Sequence, residues 1–305
     1  MGDLAIEVNN LEFAYPQLNA APRPVLDHVD LNLPRGSRCI LVGANGAGKS
    51  TLLQILAGKR LTRSGAKVLG EDVFFNTPKA VTYLGTEWAT NPVVRSDLVV
   101  SDFLYALVSR SFFNTAATED LSRVSSRDSV GGYRHKERRD RLLDILDVDL
   151  NWHMHEVSDG ERRRVQIVTV DLDVLVRSRL LSFLIAETAT RNATILYATH
   201  IFDGLDTFPT HLCHVQLGST VAPSPLAWPL PADFAGVPRD VRAKMDDPQR
   251  GGSRLLELAI HWLEVDRARR IEQEIRIGGQ QKRGALAGGE TTDSEKFYRQ
   301  YDYSH

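Results

Sequence analysis

The stretch Gly43 to Thr51 reads GANGAGKST, and it stands between the apolar run Cys39, Ile40, Leu41, Val42 and the apolar positions Leu52, Leu53, Ile55 and Leu56. A strand feeding a glycine loop that opens into a helix is the setting of a phosphate-binding loop. Gly43, Gly46 and Gly48 supply the backbone freedom that lets the N–H groups of the loop, those of Ala44, Asn45 and Ala47 among them, converge on one anion. Lys49 adds a reaching positive charge. Ser50 offers a hydroxyl to the magnesium that accompanies a nucleotide, and Ser50 with Thr51 opens a helix whose N-terminal dipole favours the phosphates.

Composition sets the frame around that loop. With 305 residues, 42% of them hydrophobic, the chain can bury the core of one large domain or two ordinary ones. A net charge of −2 and a pI near 6.5 supply no general attraction to nucleic acid or membrane, so no direct nucleic-acid binding is expected. Cys39 and Cys213 each sit in an apolar run, the usage of free thiols in a reducing compartment. The N-terminus lacks a basic region followed by an apolar core, and nowhere do eighteen apolar residues run together, so neither a secretory signal nor a membrane span is expected.

Read in order, residues 4 to 8 and 11 to 15 suggest a strand pair turning at Asn9 and Asn10, and Val29, Leu31 and Leu33 alternate as in a half-buried strand. Further strands are expected at 66–69, 73–75 and 80–84. Leu98, Val99, Phe103, Leu104, Leu107 and Val108 recur at helical spacing, and a second helix is expected over 135–148. Ser158 is a good N-cap with Glu161 three residues on as its capping-box partner, so a third helix begins there. Residues 165–170, VQIVTV, read as strand, 171–187 as helix, and 193–199 as a buried strand ending at His200. The shift to proline and glycine past Gly218 places a boundary near 220, followed by a helix over about 253–275 and a polar tail.

VSDGE at 157–161, taken with YATHIFDG at 197–204, resembles the ATP-binding cassette family. The resemblance implies an α/β fold of the P-loop NTPase type with an N-terminal antiparallel β part. It also implies a helical subdomain over about 96–158 inside a cassette domain over 1–220, with 221–305 as an extension. It further implies ATP and Mg²⁺ as ligands and a head-to-tail homodimer, in which Ser158, Asp159, Gly160 and Glu161 of one copy close over the ATP held by the phosphate loop of another. By the same resemblance His200 meets the γ-phosphate, Tyr15 stacks on adenine, and VDLD at 170–173 is a loop that brings Asp173 to the dimer interface. Glu87 falls where the family usually has a glutamine that meets magnesium.

Longer stretches, YLGTEW at 83–88, WHMHEVSDGERRRVQ at 152–166, VDLDVLVRSRLL at 170–181 and the terminal FYRQYDYS, are similar to a soluble fungal subfamily associated with the carbon-catabolite-repression (CCR4-NOT) complex. That likeness implies a cytoplasmic or nuclear protein in a transcription-regulatory complex, without membrane domains. An ATP-responsive scaffold without turnover and the energising subunit of a transporter are the alternative functions.

One departure qualifies the catalytic expectation. The family carries an apolar strand ending in Asp-Glu, which holds magnesium and polarises the attacking water, between its signature and the interface loop. Here only fifteen steps separate Ser158 from Asp173, and no apolar run among them closes on an acidic pair. By family analogy about fifteen residues are absent between Gln166 and Thr169, including both acids. The same analogy expects the missing strand between the phosphate-loop strand and the strand ending at His200. Its five or so buried side chains, at roughly 1.5–3 kcal/mol each, would weigh heavily against a total stability of about 5–15 kcal/mol.

Other features have plainer readings. His153 with His155, and His211 with His214, lack a cysteine or carboxylate in sequence to complete a metal set, so loop and surface roles are expected. Arg162, Arg163 and Arg164 are expected to serve solvation and neighbouring carboxylates, Glu187 a solvated helix face, and the helix with Trp262 either a partner or its own domain.

Overall fold

The computed structural model describes residues 3–16, 24–62, 65–76, 80–85, 96–102, 136–166, 174–231, 234–247 and 253–276. Two sheets organise it. The antiparallel sheet runs β2 (Pro24–Pro34), β1 (Leu4–Ala14), β4 (Ala66–Val68), β5 (Glu71–Asp72). The second sheet runs β6 (Ile195–Ala198), β3 (Arg38–Val42), β7 (His211–Gln216), β8 (Ser219–Thr220), and β9 (Leu226–Ala227) also pairs with β7. β3 is parallel to both β6 and β7.

Side chains of a strand alternate between faces, and β3 divides its residues accordingly. Cys39 and Leu41 join a core with Leu52, Ile55 and Leu56 of α1 (Lys49–Leu56) and with Val8, Leu11, Leu31 and Leu33 of the antiparallel sheet. Ile40 and Val42 face the opposite way. There they meet α4 (Val174–Arg191) through Leu181, and α6 (Arg254–Arg276) through Leu255, Leu258, Ala259 and Trp262. α1 is thus held between two sheets, and the phosphate loop emerges where strand and helix meet. Cys39 and Cys213 are free and buried on the neighbouring strands β3 and β7 of this layer. Burial pushes the Cys213 thiol up to about 11 and raises that of Cys39 as well.

Three sequence expectations change. Residues 4–14 form one continuous strand, with Asn10 at φ 53 as an irregularity in its pairing with β2 instead of a hairpin turn. The reason is that Asn tolerates the left-handed conformation equally in a turn and in a bulge. Residues 73–75 form a turn, and 80–84 have no regular structure. The boundary near 220 does not separate two cores: β9 pairs with β7, and Trp228, Leu230, Val241 of α5 (Arg239–Met245) and the inner face of α6 pack in the same cluster as Ile40 and Leu212. Trp262 packs back on its own domain, stacked on His214 with ring centroids 4.7 Å apart.

No strand stands between the phosphate-loop strand and the strand leading to His200, where the family analogy expected one. β6 lies directly against β3, with pairs from Arg38↔Ile195 to Leu41↔Ala198, leaving no place between them. Among the described residues, no strand pairs with the outer edge of β6. All four of its residues are half-buried, whereas four of the five in β3 are buried. Among the described residues, the helical part includes α2 (Lys136–Leu146) and α3 (Asp159–Gln166), with small clusters around Met154, Val100 and Val165 and around Leu146, Val176 and Leu180. Val165 and Gln166 of the expected VQIVTV strand are helical here, and 167–170 lie outside the described residues, as do 103–108 of the expected first helix.

Candidate nucleotide site

The loop geometry follows from close packing. Gly48, immediately before α1, has φ 101 and ψ −2, and a Cβ there would come within 2.5 Å of the Leu26 side chain. At Gly43 a Cβ would lie 2.2 Å from the carbonyl oxygen of Val215, because β7 runs against the end of β3. Glycine is therefore required at both positions. The Gly218 amide donates to the Ala47 carbonyl at 3.2 Å, and the Asp27 amide donates to the Gly218 carbonyl at 2.9 Å, fastening the loop to β2 and β7.

A pocket opens over this loop, lined by Val25, Asn45, Gly46, Ala47, Gly48, Lys49, Ser50, Thr51 and His200. Lys49 is buried, and its Nζ donates to the carbonyls of Gly43 at 2.6 Å and Ala44 at 2.9 Å. Burial lowers its pKa, and the Asp266 carboxylate partly opposes that. His200, at the end of β6, has its pKa lowered by desolvation first and by the Lys49 charge second. The basic, backbone-lined cradle, with an exposed Ser50 hydroxyl and an imidazole facing Lys49, fits a polyphosphate with its divalent cation.

Tyr15 comes to the same helix by another contact. Its hydroxyl shares a 3.0 Å hydrogen bond with Thr51 Oγ1, Phe13 meets its edge, and the Arg60 guanidinium lies 4.7 Å from its ring centroid. Arg60 therefore covers part of the ring that an adenine would stack upon. Val25 was not legible from the sequence, since it follows an irregular proline-rich stretch and carries no charge or glycine to mark it.

The segment 157–161 forms a complete capping box. The backbone N–H of Ser158 donates to Glu161 Oε2 at 2.8 Å, its hydroxyl shares the same oxygen at 2.7 Å, and the Glu161 N–H donates back to Ser158 Oγ at 3.2 Å. These bonds hold the Glu161 pKa below the ordinary carboxylate value. Arg162 is buried, not solvated as expected: its guanidinium donates to the Val157 carbonyl at 3.0 Å, closing the turn before α3. Arg164 does reach a carboxylate, Asp147, at 3.3 Å. Glu187 pairs with Arg191 four residues on, at 3.3 Å. Ser158, Gly160 and Glu161 do not line the pocket of their own chain.

The ABC transporter family profile matches residues 26–174. The chain is 38% identical over 237 residues to ABC transporter I family member 20 of Arabidopsis thaliana, covering 70% of this chain and 67% of that protein. It belongs to the ATP-binding cassette family. Another cassette relative, CCR4-associated factor 16 of Saccharomyces cerevisiae, is 36% identical over 254 residues, 72% of this chain and 78% of that protein. The fold agrees: the ATP-binding subunit of an ABC transporter superposes with a TM-score of 0.57 at 22% identity, over 85% of this chain and 99% of that one. A dimeric cassette in a post-hydrolysis state with ADP and Pi gives 0.52 at 16% identity, over 70% and 96%.

Of the cassette residues expected from sequence, the structure brings Asn45 to Thr51 and His200 together around one pocket, sets the Gly43 and Ala44 carbonyls against Lys49, and places Ser158, Asp159, Gly160 and Glu161 at the start of α3. Glu87 and Asp173 lie outside the described residues. Among the described residues, no helix is long and apolar enough to cross a membrane.

Proposed function

We propose that this cassette is an ATP-binding regulatory protein that dimerises head to tail on Mg-ATP and hydrolyses it poorly. The observation that carries this reading is a phosphate pocket with Lys49, Ser50 and His200 assembled, in a chain where no strand ends in the Asp-Glu pair that would activate water. Lys49 and the loop amides hold the phosphates, Ser50 with Glu87 meets Mg²⁺, and Tyr15 takes the adenine once Arg60 moves aside. The capped start of α3, absent from its own chain's pocket, serves a second copy, whose phosphates it covers with Ser158 and Gly160; Asp173 lines that interface. By its likeness to CCR4-associated factor 16, the dimer acts in a cytoplasmic or nuclear regulatory complex and not as the motor of a membrane transporter.

Single-turnover hydrolysis set beside sedimentation of the full chain tests this. The expected result is Mg-ATP binding and dimerisation with little product. Ordinary turnover that Lys49→Ala abolishes would overturn it.

A further inference from the structure

The segment leading into α3 crosses an earlier piece of chain. Val99 and His153 form an antiparallel bridge, the Met154 N–H donates to the Leu98 carbonyl at 2.8 Å, and the Val100 N–H donates to the Trp152 carbonyl at 2.8 Å. A turn follows the bridge, closed by the Glu156 and Val157 amides donating to the His153 carbonyl at 3.0 and 3.2 Å. Within it Met154 is fully buried with Val100 and Val165, while the side chains of His153 and His155 stay 44% and 40% exposed beside one another. Asp97, two residues before the bridge, brings a carboxylate to that pair. Its Oδ1 lies 2.7 Å from His153 Nδ1 and 3.2 Å from His155 Nδ1, with the two rings edge to face at 5.8 Å. The missing carboxylate of the histidine pair is supplied from 56 residues away, a distance over which sequence spacing carries no signal.

We propose that Asp97, His153 and His155 bind a divalent transition metal of the zinc class, at a site separate from the nucleotide. The three ligand atoms all lie within 4.8 Å of one another. Ligands about 2.0–2.2 Å from a tetrahedral ion stand roughly 3.3 Å apart, so small side-chain rotations suffice to admit one. Two imidazoles with one carboxylate and an open fourth position for water suit zinc, cobalt or nickel and disfavour magnesium and calcium, which take oxygen. Both histidines present Nδ1 to the ion. His155 keeps Nε2 for Glu156, whose Oε1 is 3.5 Å away, the kind of outer partner that orients a ligating ring.

The test titrates Co²⁺ and Zn²⁺ into the full chain without nucleotide, following cobalt by its visible absorption and zinc by calorimetry. One ion should bind per chain, and Asp97→Asn, His153→Ala and His155→Ala should each weaken it by more than about tenfold, the loss that even outer partners cause. His28→Asn, at the exposed Glu12, Asp27, His28 group where φ 53 suits asparagine, should leave binding unchanged. Melting without metal shows whether each variant folds, and His153→Gln replaces His153→Ala if the latter does not. Absence of uptake below about 0.1 mM, uptake indifferent to the three ligand variants, or loss on His28→Asn instead would each overturn the proposal.

Discussion

β3 has two parallel neighbours that could hardly be less alike. On one side β7 is buried from Leu212 to Gln216, its far edge taken by β8 and β9. The Asp266 carboxylate of α6 ties it down, accepting from Gln216 Nε2 at 2.6 Å and bonding His214 Nε2 at 2.8 Å, and Arg269 reaches the same glutamine. On the other side β6 is half-buried throughout and pairs among the described residues with β3 alone. The β7 side holds the phosphate loop from beneath, through Val215 against Gly43 and Gly218 against Ala47. The β6 side ends near His200, and among the described residues no strand covers its outer edge. On the proposed function, binding draws on the closed flank of the sheet and hydrolysis on the open one.

The largest change should come from mending the open flank. Inserting between Gln166 and Thr169 about fifteen residues forming an apolar strand that ends in Asp-Glu should raise single-turnover hydrolysis by about 10²–10⁴-fold, the usual contribution of a positioned general base. Unchanged hydrolysis in a folded insertion variant would separate the open edge from the proposed weakness of turnover. On the closed flank, Leu258→Ala empties a fully buried position and should cost about 2–5 kcal/mol in denaturant unfolding. Within the loop, Lys49→Ala should weaken ATP by about 2 kcal/mol, roughly thirtyfold by equilibrium binding, without lowering the melting temperature to a similar degree.

Smaller effects sharpen the contrast. Ser158→Ala removes the capping box and should cost about 1 kcal/mol, seen as faster amide exchange in the first turn of α3 and weaker nucleotide-driven dimerisation. The smallest is a titration. His200 has a folded pKa below its ordinary value of about 6.5, so the unfolded chain takes up this proton first and the residue's share of stability declines as pH falls through that range. Binding ATP should raise the His200 midpoint, because the triphosphate offsets the Lys49 charge; an NMR titration with and without nucleotide reads it directly.

The parts of this molecule legible in the sequence were those whose chemistry is local. The phosphate loop needs glycines and a lysine within nine residues, and the capping box needs Ser158 and Glu161 within one turn, so both could be read and both are present. What sequence could not convey was which distant piece each element meets. Asn10 signalled a left-handed residue without saying that the strand continues through it. Arg162 had the composition of a solvated residue, yet it folds inward onto the Val157 carbonyl. Proline and glycine past 218 suggested a separate unit, whereas the apolar face of α6, with Asp266 on it, closes the core above β7. Asp97 gave no sign of His153 because only their backbone crossing brings them together.

The neighbouring thiols on β3 and β7 turn the interior of the fold into a clock. Both are shut away from solvent and keep their protons at neutral pH, so an alkylating reagent can mark them only in molecules that have come apart. The pace of labelling therefore counts excursions to the unfolded chain, and whatever slows that pace is bound to the folded one.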